Sequence, residues 1–159
     1  MIKSSLTCFT QRYFMFLICL FSFGVMHSQM SNDNENEISV VKSFSDPALE
    51  WGPCPPFMPE GCNIAVVQGD PSQNNSNVLF KVNGNSSIPN HWHNSPERMV
   101  LLTGKMKVTY KGEATQTLNV GDFAYGPAKK THTGECISKE PCILYIGFRD
   151  PLDAFPAED

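Results

Sequence analysis

Short β-rich runs divided by turn residues are the feature that most restricts the fold of this chain. From Ile38 onward no stretch keeps a 3.6-residue apolar period, and the runs are separated by turn sequences such as Gly69-Asp70-Pro71 and Asn83-Gly84-Asn85. Many short strands favour an all-β antiparallel sandwich or barrel, and a jelly roll is the arrangement that hides most strand edges. The only helix expected is a turn or two near Asp46–Glu50. The predicted strands are Ile38–Lys42, Ile64–Gln68, Val78–Val82, Ile88–His93, Arg98–Thr103, Lys105–Lys111, Thr115–Val120, Phe123–Tyr125, Thr131–Ser138 and Cys142–Phe148.

The N-terminal segment has the pattern of a secretory signal peptide. Lys3 and Arg12 precede a short apolar run from Tyr13 to Met26, and no acidic residue occurs before Asp33. The run is shorter than the roughly 20 residues that span a bilayer. We therefore predict a signal peptide over residues 1–28, a polar linker over 29–37 and a single domain over 38–159, with an uncleaved anchor as the alternative. The mature protein is expected in the periplasm or the medium, without stable membrane insertion.

Length and charge narrow the possible functions. A chain of 159 residues allows one domain, or one domain with a tail. Its 12 basic and 16 acidic residues give a net charge of -4. A nucleic-acid partner is not expected, because such binders usually carry a basic face.

Four cysteines follow the predicted signal peptide: Cys54, Cys62, Cys136 and Cys142. In an exported chain this number predicts two disulfides. Local pairing is the simplest, with Cys54 bound to Cys62 and Cys136 bound to Cys142. Four cysteines allow three connectivities, and four free thiols are the alternative.

All the histidines after the predicted signal peptide fall in one pattern with a glutamate. His91-Trp92-His93 places two imidazoles on the same face of a strand, and the turn Asn94-Ser95-Pro96 leads directly to Glu97. An isolated pair of this kind is more often a surface or core feature. Three neutral imidazoles and a carboxylate suit divalent Fe, Mn, Ni, Cu or Zn, with one or two positions left for substrate or water. The predicted metal ligands are His91, His93, Glu97 and His132.

Two motifs give the sequence a family resemblance. The spacing His91-x-His93-x3-Glu97-x6-Gly104 matches the first cupin motif, and Gly121-x5-Pro127-x-Lys129-x2-His132 matches the second. The chain therefore resembles the small, single-domain form of the cupin superfamily over about Trp51–Asp153, with its motifs at 84–104 and 121–132. The resemblance implies a double-stranded β-helix, or jelly-roll barrel, and the same four ligands.

The chain departs from the motifs at two positions. Gly84 stands one residue further upstream than is usual. Lys129 occupies a position where glycine is usual; a lysine there either accepts a left-handed backbone at a cost of roughly 1 kcal/mol or adopts another turn.

The resemblance implies several functions. Cupins with this ligand set include dioxygenases, isomerases, lyases and sugar-acid processing proteins, so we expect an exported metal-dependent enzyme acting on a small polar or aromatic molecule. The alternative is a non-catalytic binding or sensing protein with a structural metal. Glu97 and Tyr125 are the first candidates for proton transfer, and Met99, Tyr145 and Phe148 are further candidates for the pocket wall. No cofactor other than one divalent metal is implied.

Trp92 should lie on the strand face opposite the histidines, where a large aromatic side chain needs cover. We expect a homodimer in which the strand around Ile38–Val41 crosses to a neighbouring subunit. Alternatively, Trp51 and the Gly52–Pro59 loop cover Trp92 within one chain. Lys129 and Lys130 either attract an anionic substrate or form a solvated loop.

Overall fold

The computed structural model describes residues 38–158, and in this part of the chain every regular element is a β-strand. The strands are β1 Gly52–Pro53, β2 Asn63–Gln68, β3 Asn77–Val82, β4 Ser86–Trp92, β5 Glu97–Thr103, β6 Met106–Tyr110, β7 Gln116–Leu118, β8 Phe123–Gly126, β9 His132–Cys136, β10 Cys142–Phe148 and β11 Phe155–Pro156. Near Asp46–Glu50 the chain forms turns rather than the expected helical segment. Within these residues no helix is long and apolar enough to span a bilayer. The predicted signal peptide and the linker over 29–37 lie outside the described residues.

Two antiparallel sheets face each other. One has the order β1-β2-β3-β10-β5-β8 and the other the order β11-β4-β9-β6-β7. The chain passes repeatedly between the sheets, because β3, β5, β8 and β10 belong to one and β4, β6, β7, β9 and β11 to the other. This is the double-stranded β-helix, so the predicted fold class is confirmed.

The core fills the space between the sheets. Alternate residues of β10 point inward, and the most enclosed apolar side chains include Val78, Val82 and Leu101. Burying a side chain of this size contributes about 1.5–3 kcal/mol. The inner residues of both sheets therefore form one apolar interior into which the histidines project.

The predicted strands from Ile64–Gln68 to Cys142–Phe148 all correspond to observed strands, with ends displaced by a few residues. The strand predicted over Ile38–Lys42 is wrong: it belongs to neither sheet, and Val41 is fully exposed. Its β-branched residues favour an extended backbone, but a strand also needs a partner for its backbone hydrogen bonds. The two-residue strands β1 and β11 were not predicted, because two residues are too few to show the alternation of apolar and polar side chains that indicates a strand.

The disulfides join Cys54 to Cys62 and Cys136 to Cys142, as predicted. The first closes a loop ahead of β2. The second joins the end of β9 to the start of β10 and therefore links the two sheets. Both sulfur atoms of the second pair belong to residues with no exposed surface.

Candidate metal centre

The four predicted ligands meet between the sheets. His91 lies in β4 and faces His132 of β9 directly across the strand pair, while Glu97 begins β5. The candidate ligand atoms of His91, His93 and His132 all lie within 4.8 Å of one another. The Glu97 carboxylate lies beside them, with Oε1 3.4 Å from His93 Nε2 and Oε2 3.6 Å from His132 Nε2. All four side chains are buried.

Backbone carbonyls orient the three imidazoles. His91 Nδ1 lies 2.8 Å from the carbonyl oxygen of Pro89, and His132 Nδ1 lies 3.2 Å from that of Lys130. His93 Nδ1 makes a similar bond to the carbonyl oxygen of Asp153. A carbonyl only accepts, so each Nδ1 carries the hydrogen and each Nε2 keeps its lone pair. This is the tautomer in which Nε2 binds a metal.

Burial keeps the imidazoles of His91 and His132 neutral. It lowers the pKa of His91 to about 4 and that of His132 to about 3, with neighbouring histidines adding to the effect. Burial raises the pKa of the Glu97 carboxyl, and His93 opposes that shift. At neutral pH His91 and His132 are therefore ready to donate lone pairs without first losing a proton.

The donor set fits a divalent transition metal. Three imidazole nitrogens and one carboxylate oxygen are the ligands that such metals take in proteins. Moreover, His93 Nε2 is buried without a hydrogen-bond partner in the part of the chain that the structure describes. A buried polar atom of this kind normally has a partner, and a metal ion between the four side chains would supply it.

Tyr110 is a neighbour of the site that the sequence reasoning missed. Its ring stacks on His132 with centroids 4.7 Å apart, and its hydroxyl is buried without a hydrogen-bond partner among the described residues. Burial and the nearby Glu97 raise the pKa of Tyr110, so the hydroxyl stays protonated. Tyr110 faces His132 in the β6–β9 register, and only that pairing reveals its position.

A cavity of about 190 Å³ adjoins the four side chains. Apart from them its wall is almost wholly apolar, and Met99 and Phe148 contribute to it as predicted. Other apolar lining residues are Phe80, Met106, Leu144 and Ile146. The cavity therefore offers an apolar space in front of the candidate metal position.

Two predicted wall residues lie elsewhere, which corrects those predictions. Tyr125, also a candidate for proton transfer, is 52% exposed and does not line the cavity. The hydroxyl of Tyr145 donates to Asn77 Oδ1 at 2.6 Å, away from the cavity. Strand alternation explains both, because Ala124 and Leu144 are the neighbours that point inward.

Two segments outside the long strands also line the cavity. The disulfide-closed loop contributes Cys54, Pro55 and Met58, and the chain after β10 contributes Leu152, Asp153 and Ala154. The ring of Phe57, in the same loop, lies 6.3 Å from that of His91. Segments far apart in sequence therefore contribute to the wall of the cavity.

The two departures from the cupin motifs have local explanations. Lys129 takes the left-handed backbone, with φ of 60°, and its amide donates to the carbonyl oxygen of His93 at 2.7 Å. Gly84 packs so tightly that a Cβ there would lie 2.0 Å from the Lys139 carbonyl oxygen. Lys130 pairs with Glu113, which favours a structural role over attraction of an anionic substrate.

Trp92 is covered differently from both expectations. Its ring stacks on Phe155 of the same chain, with centroids 4.6 Å apart and planes at 25°. Trp51 instead lies under the ammonium group of Lys81, which is 4.1 Å from the ring centroid. Because Phe155 covers Trp92 within the same chain, the argument that Trp92 needs a partner subunit for cover no longer applies.

Comparison with known proteins agrees with this architecture. Residues 78–148, which include all four candidate ligands, match the family model of the cupin domain. This segment of the chain is therefore a cupin domain, as the resemblance implied. A search among curated proteins found no match.

Solved structures share the fold at low sequence identity. The chain superposes on the DMSP lyase DddQ from Ruegeria pomeroyi with a TM-score of 0.59 and 16% identity, covering 69% of this chain and 61% of the lyase. For oxalate decarboxylase from Lactobacillus farciminis the values are 0.56 and 20%, covering 68% of this chain and 33% of that one. An uncharacterized Klebsiella pneumoniae protein with a double-stranded β-helix domain gives 0.54 and 17%, covering 64% and 89%. The chain thus spans about three fifths of the lyase and one third of the decarboxylase.

Proposed function

We propose that this cupin binds one divalent transition metal through His91, His93, Glu97 and His132 and is an enzyme acting on a small organic molecule. The observation that carries the proposal is the convergence of four buried donors, three of them with Nε2 lone pairs fixed by carbonyls, at the edge of a cavity. Two of the similar structures are a lyase and a decarboxylase, and this supports catalysis on a small molecule.

The cavity restricts the class of substrate. A volume of about 190 Å³ accommodates only a small molecule, and walls such as Phe80, Leu144 and Ile146 favour an apolar body. One polar end of the substrate, a carboxylate, carbonyl or hydroxyl, would face the metal position. This narrows the sequence-based expectation of a small polar or aromatic molecule.

Each part of the site has a chemical role in this proposal. A bound divalent metal would supply Lewis acidity toward an oxygen atom of the substrate. The apolar wall excludes water from the polar end, which strengthens electrostatic interactions there. Glu97 would contribute a carboxylate charge to the metal, and its second carboxylate oxygen is the candidate for accepting a proton from the substrate.

A non-catalytic binding function is favoured by one observation. Besides the four candidate ligands, Asp153 is the only ionisable residue that lines the cavity within residues 38–158, and its carboxylate is already bound to Asn94. No additional acid–base group therefore faces the cavity. A protein that holds a ligand against a structural metal would need nothing more.

Metal analysis of the mature protein from its own host tests the proposal. We expect one equivalent of metal in the wild type and none after replacing His91 and His93 together by Ala. Thr133→Ala, an exposed change next to His132, is the matched control and should retain the metal. A double variant with full metal content would contradict the ligand assignment. The metal-loaded protein is then screened for O2 uptake, elimination and decarboxylation of small molecules that fit the cavity. Turnover of one of them would show an enzyme, and binding without turnover would favour a binding protein.

We also propose export to the periplasm or the medium and assembly as a homodimer. The two disulfides favour an oxidising compartment. For the dimer, exposed Phe123 and Tyr125 on the edge strand β8 now provide the apolar surface. Intact mass of the native protein should lack about the first 28 residues, as a signal peptide of ordinary length predicts. Light scattering at tens of micromolar should give twice the mature mass, and a monomer mass would exclude the dimer.

A further inference from the structure

The turn between two of the candidate ligands is held from a distant part of the chain. Ser95, in the turn between His93 and Glu97, is almost fully buried. Its Oγ accepts hydrogen bonds from the amides of Arg149 at 2.9 Å and Asp150 at 3.0 Å. The end of β10 therefore fixes the connection between β4 and β5.

Asp153 continues this connection and reaches the site itself. One carboxylate oxygen accepts from the Asn94 amide at 2.9 Å, and the other accepts from Asn94 Nδ2 at 2.6 Å. The backbone carbonyl of Asp153 accepts the hydrogen of His93 Nδ1. Asp153 thus binds both the imidazole of His93 and the following residue, Asn94.

The segment around Asp153 is itself fastened to β4. We call residues 152–157 the C-terminal strap. Phe155 of the strap stacks on Trp92, and the Ala157 amide donates to the carbonyl oxygen of Asn90 at 2.9 Å. In β11, Phe155 and Pro156 pair with Trp92 and His91. The strap therefore follows the whole His91-Trp92-His93 sequence.

We propose that Asp153 is a positioning residue for the metal centre: it fixes the tautomer and orientation of His93 through its carbonyl, and its carboxylate holds that carbonyl in place by binding Asn94. The inference rests on the proposed metal site. Of the three Nδ1 acceptors, those of His91 and His132 lie two residues from their histidines, whereas that of His93 is 60 residues away. The orientation of His93 thus depends on how the strap is anchored, while the other two imidazoles are oriented locally.

Loss of such an outer partner typically weakens metal binding about 10–100-fold. Asp153→Ala removes both hydrogen bonds to Asn94, whereas Asn94→Ala removes only the one from Nδ2 and Asp153→Asn keeps one acceptor oxygen for the Asn94 amide. Asp150→Ala removes the same charge from a residue just before the strap, keeps the Asp150 backbone amide that binds Ser95 Oγ and leaves His93 and Asn94 untouched, so it is the control.

The test uses Co2+ alone, added to the mature chain with both disulfides intact. We expect Asp153→Ala to raise the Co2+ dissociation constant about tenfold or more and to change the Co2+ visible absorption bands, with Asn94→Ala and Asp153→Asn intermediate. In a His93→Ala background, Asp153→Ala should cause no further loss of Co2+ affinity. The Asp150→Ala control should match the wild type.

Several outcomes would overturn the inference. Unchanged Co2+ affinity and spectrum in the variants, even with a lower Tm, would show that the strap has only a structural role. An equal additional loss in the His93→Ala background would place the effect elsewhere. Should Asp153→Ala fail to fold, Asn94→Ala and Asp153→Asn decide in the same way. A wild type that binds none of Co2+, Fe2+, Mn2+, Ni2+, Cu2+ and Zn2+ would contradict the proposed function itself, which is a separate result.

Discussion

Gly126 lies where an added methyl group should disturb the candidate metal centre. It ends β8 and faces Glu97 across the strand pair. A Cβ at this position would lie 2.2 Å from Tyr110 Oη, 3.2 Å from Tyr110 Cζ and 3.0 Å from Glu97 Oε2. Because the Tyr110 ring stacks on His132, Gly126→Ala would press on two candidate ligands at once.

The expected cost follows from the overlap. A carbon atom normally stays about 3.5 Å from a non-bonded heavy atom, so the tyrosine would have to move by about 1 Å. The side chain is 6% exposed and has little free space for this movement. Overpacking of this kind typically costs about 1–3 kcal/mol, and each kcal/mol lowers the Tm of a domain of this size by about 4 °C. Displacement of Glu97 and His132 should also weaken metal binding, by about tenfold if the effect resembles loss of an outer partner.

Thermal unfolding and Co2+ titration measure the two effects. Gly52→Ala is the matched control, because its Cβ would meet only the Ile64 carbonyl oxygen at 3.9 Å. Adding Tyr110→Phe to Gly126→Ala removes the closest clash, the one at 2.2 Å, and should restore part of both the Tm and the affinity. A Gly126→Ala protein with wild-type Tm and Co2+ affinity would refute the reasoning, as would a double variant no better than the single one.

Three further predictions follow from the structure. Lys129→Gly should raise the free energy of unfolding by at most about 1 kcal/mol, because φ is 60° at this position and glycine adopts this left-handed backbone without the steric cost of a side chain. A decrease measured by denaturant titration would contradict this. Replacing Cys136 and Cys142 together by Ala should lower the free energy of unfolding by about 2 kcal/mol through the released loop, measured in the same way, while free thiols at both positions in the native protein would exclude the bridge. Acid should destabilise the metal-free protein between pH 6.5 and about 4, because folding lowers the pKa of His91 to about 4 and that of His132 to about 3. In this pH range the unfolded chain binds protons at the two histidines that the folded chain does not bind. The raised pKa of Glu97 acts in the opposite direction, so the titration is made in chelator on the Glu97→Gln variant, where a Tm that stays constant or rises on acidification would contradict the prediction.

The sequence predicted the fold and the four converging residues well because both depend on short-range patterns. Strand alternation places His91 and His93 on one face, and motif spacing relates them to Glu97 and His132. The local disulfides were predictable for the same reason. Ile38–Lys42 was misassigned because β-propensity is readable from one segment, whereas the presence of a partner strand is not. Tyr125 was misplaced because its proximity to the second motif says nothing about which face of β8 it occupies.

The residues that support the ligands were missed for a related reason. Tyr110 reaches His132 through cross-strand register, and Asp153 reaches His93 across 60 positions, so neither contact leaves a pattern in a single sequence. These contacts nevertheless decide whether four donors form a usable site, because an imidazole binds a metal only in the right tautomer and orientation. His91 and His132 take that orientation from carbonyls two residues away, and His93 alone takes it from the far end of the chain. A fragment ending at Phe148 would keep both motifs and all four donors yet lack the carbonyl that orients His93. The motifs thus specify which residues meet. The strap after β10 determines whether His93 directs its Nε2 lone pair toward the point where the other three donors converge.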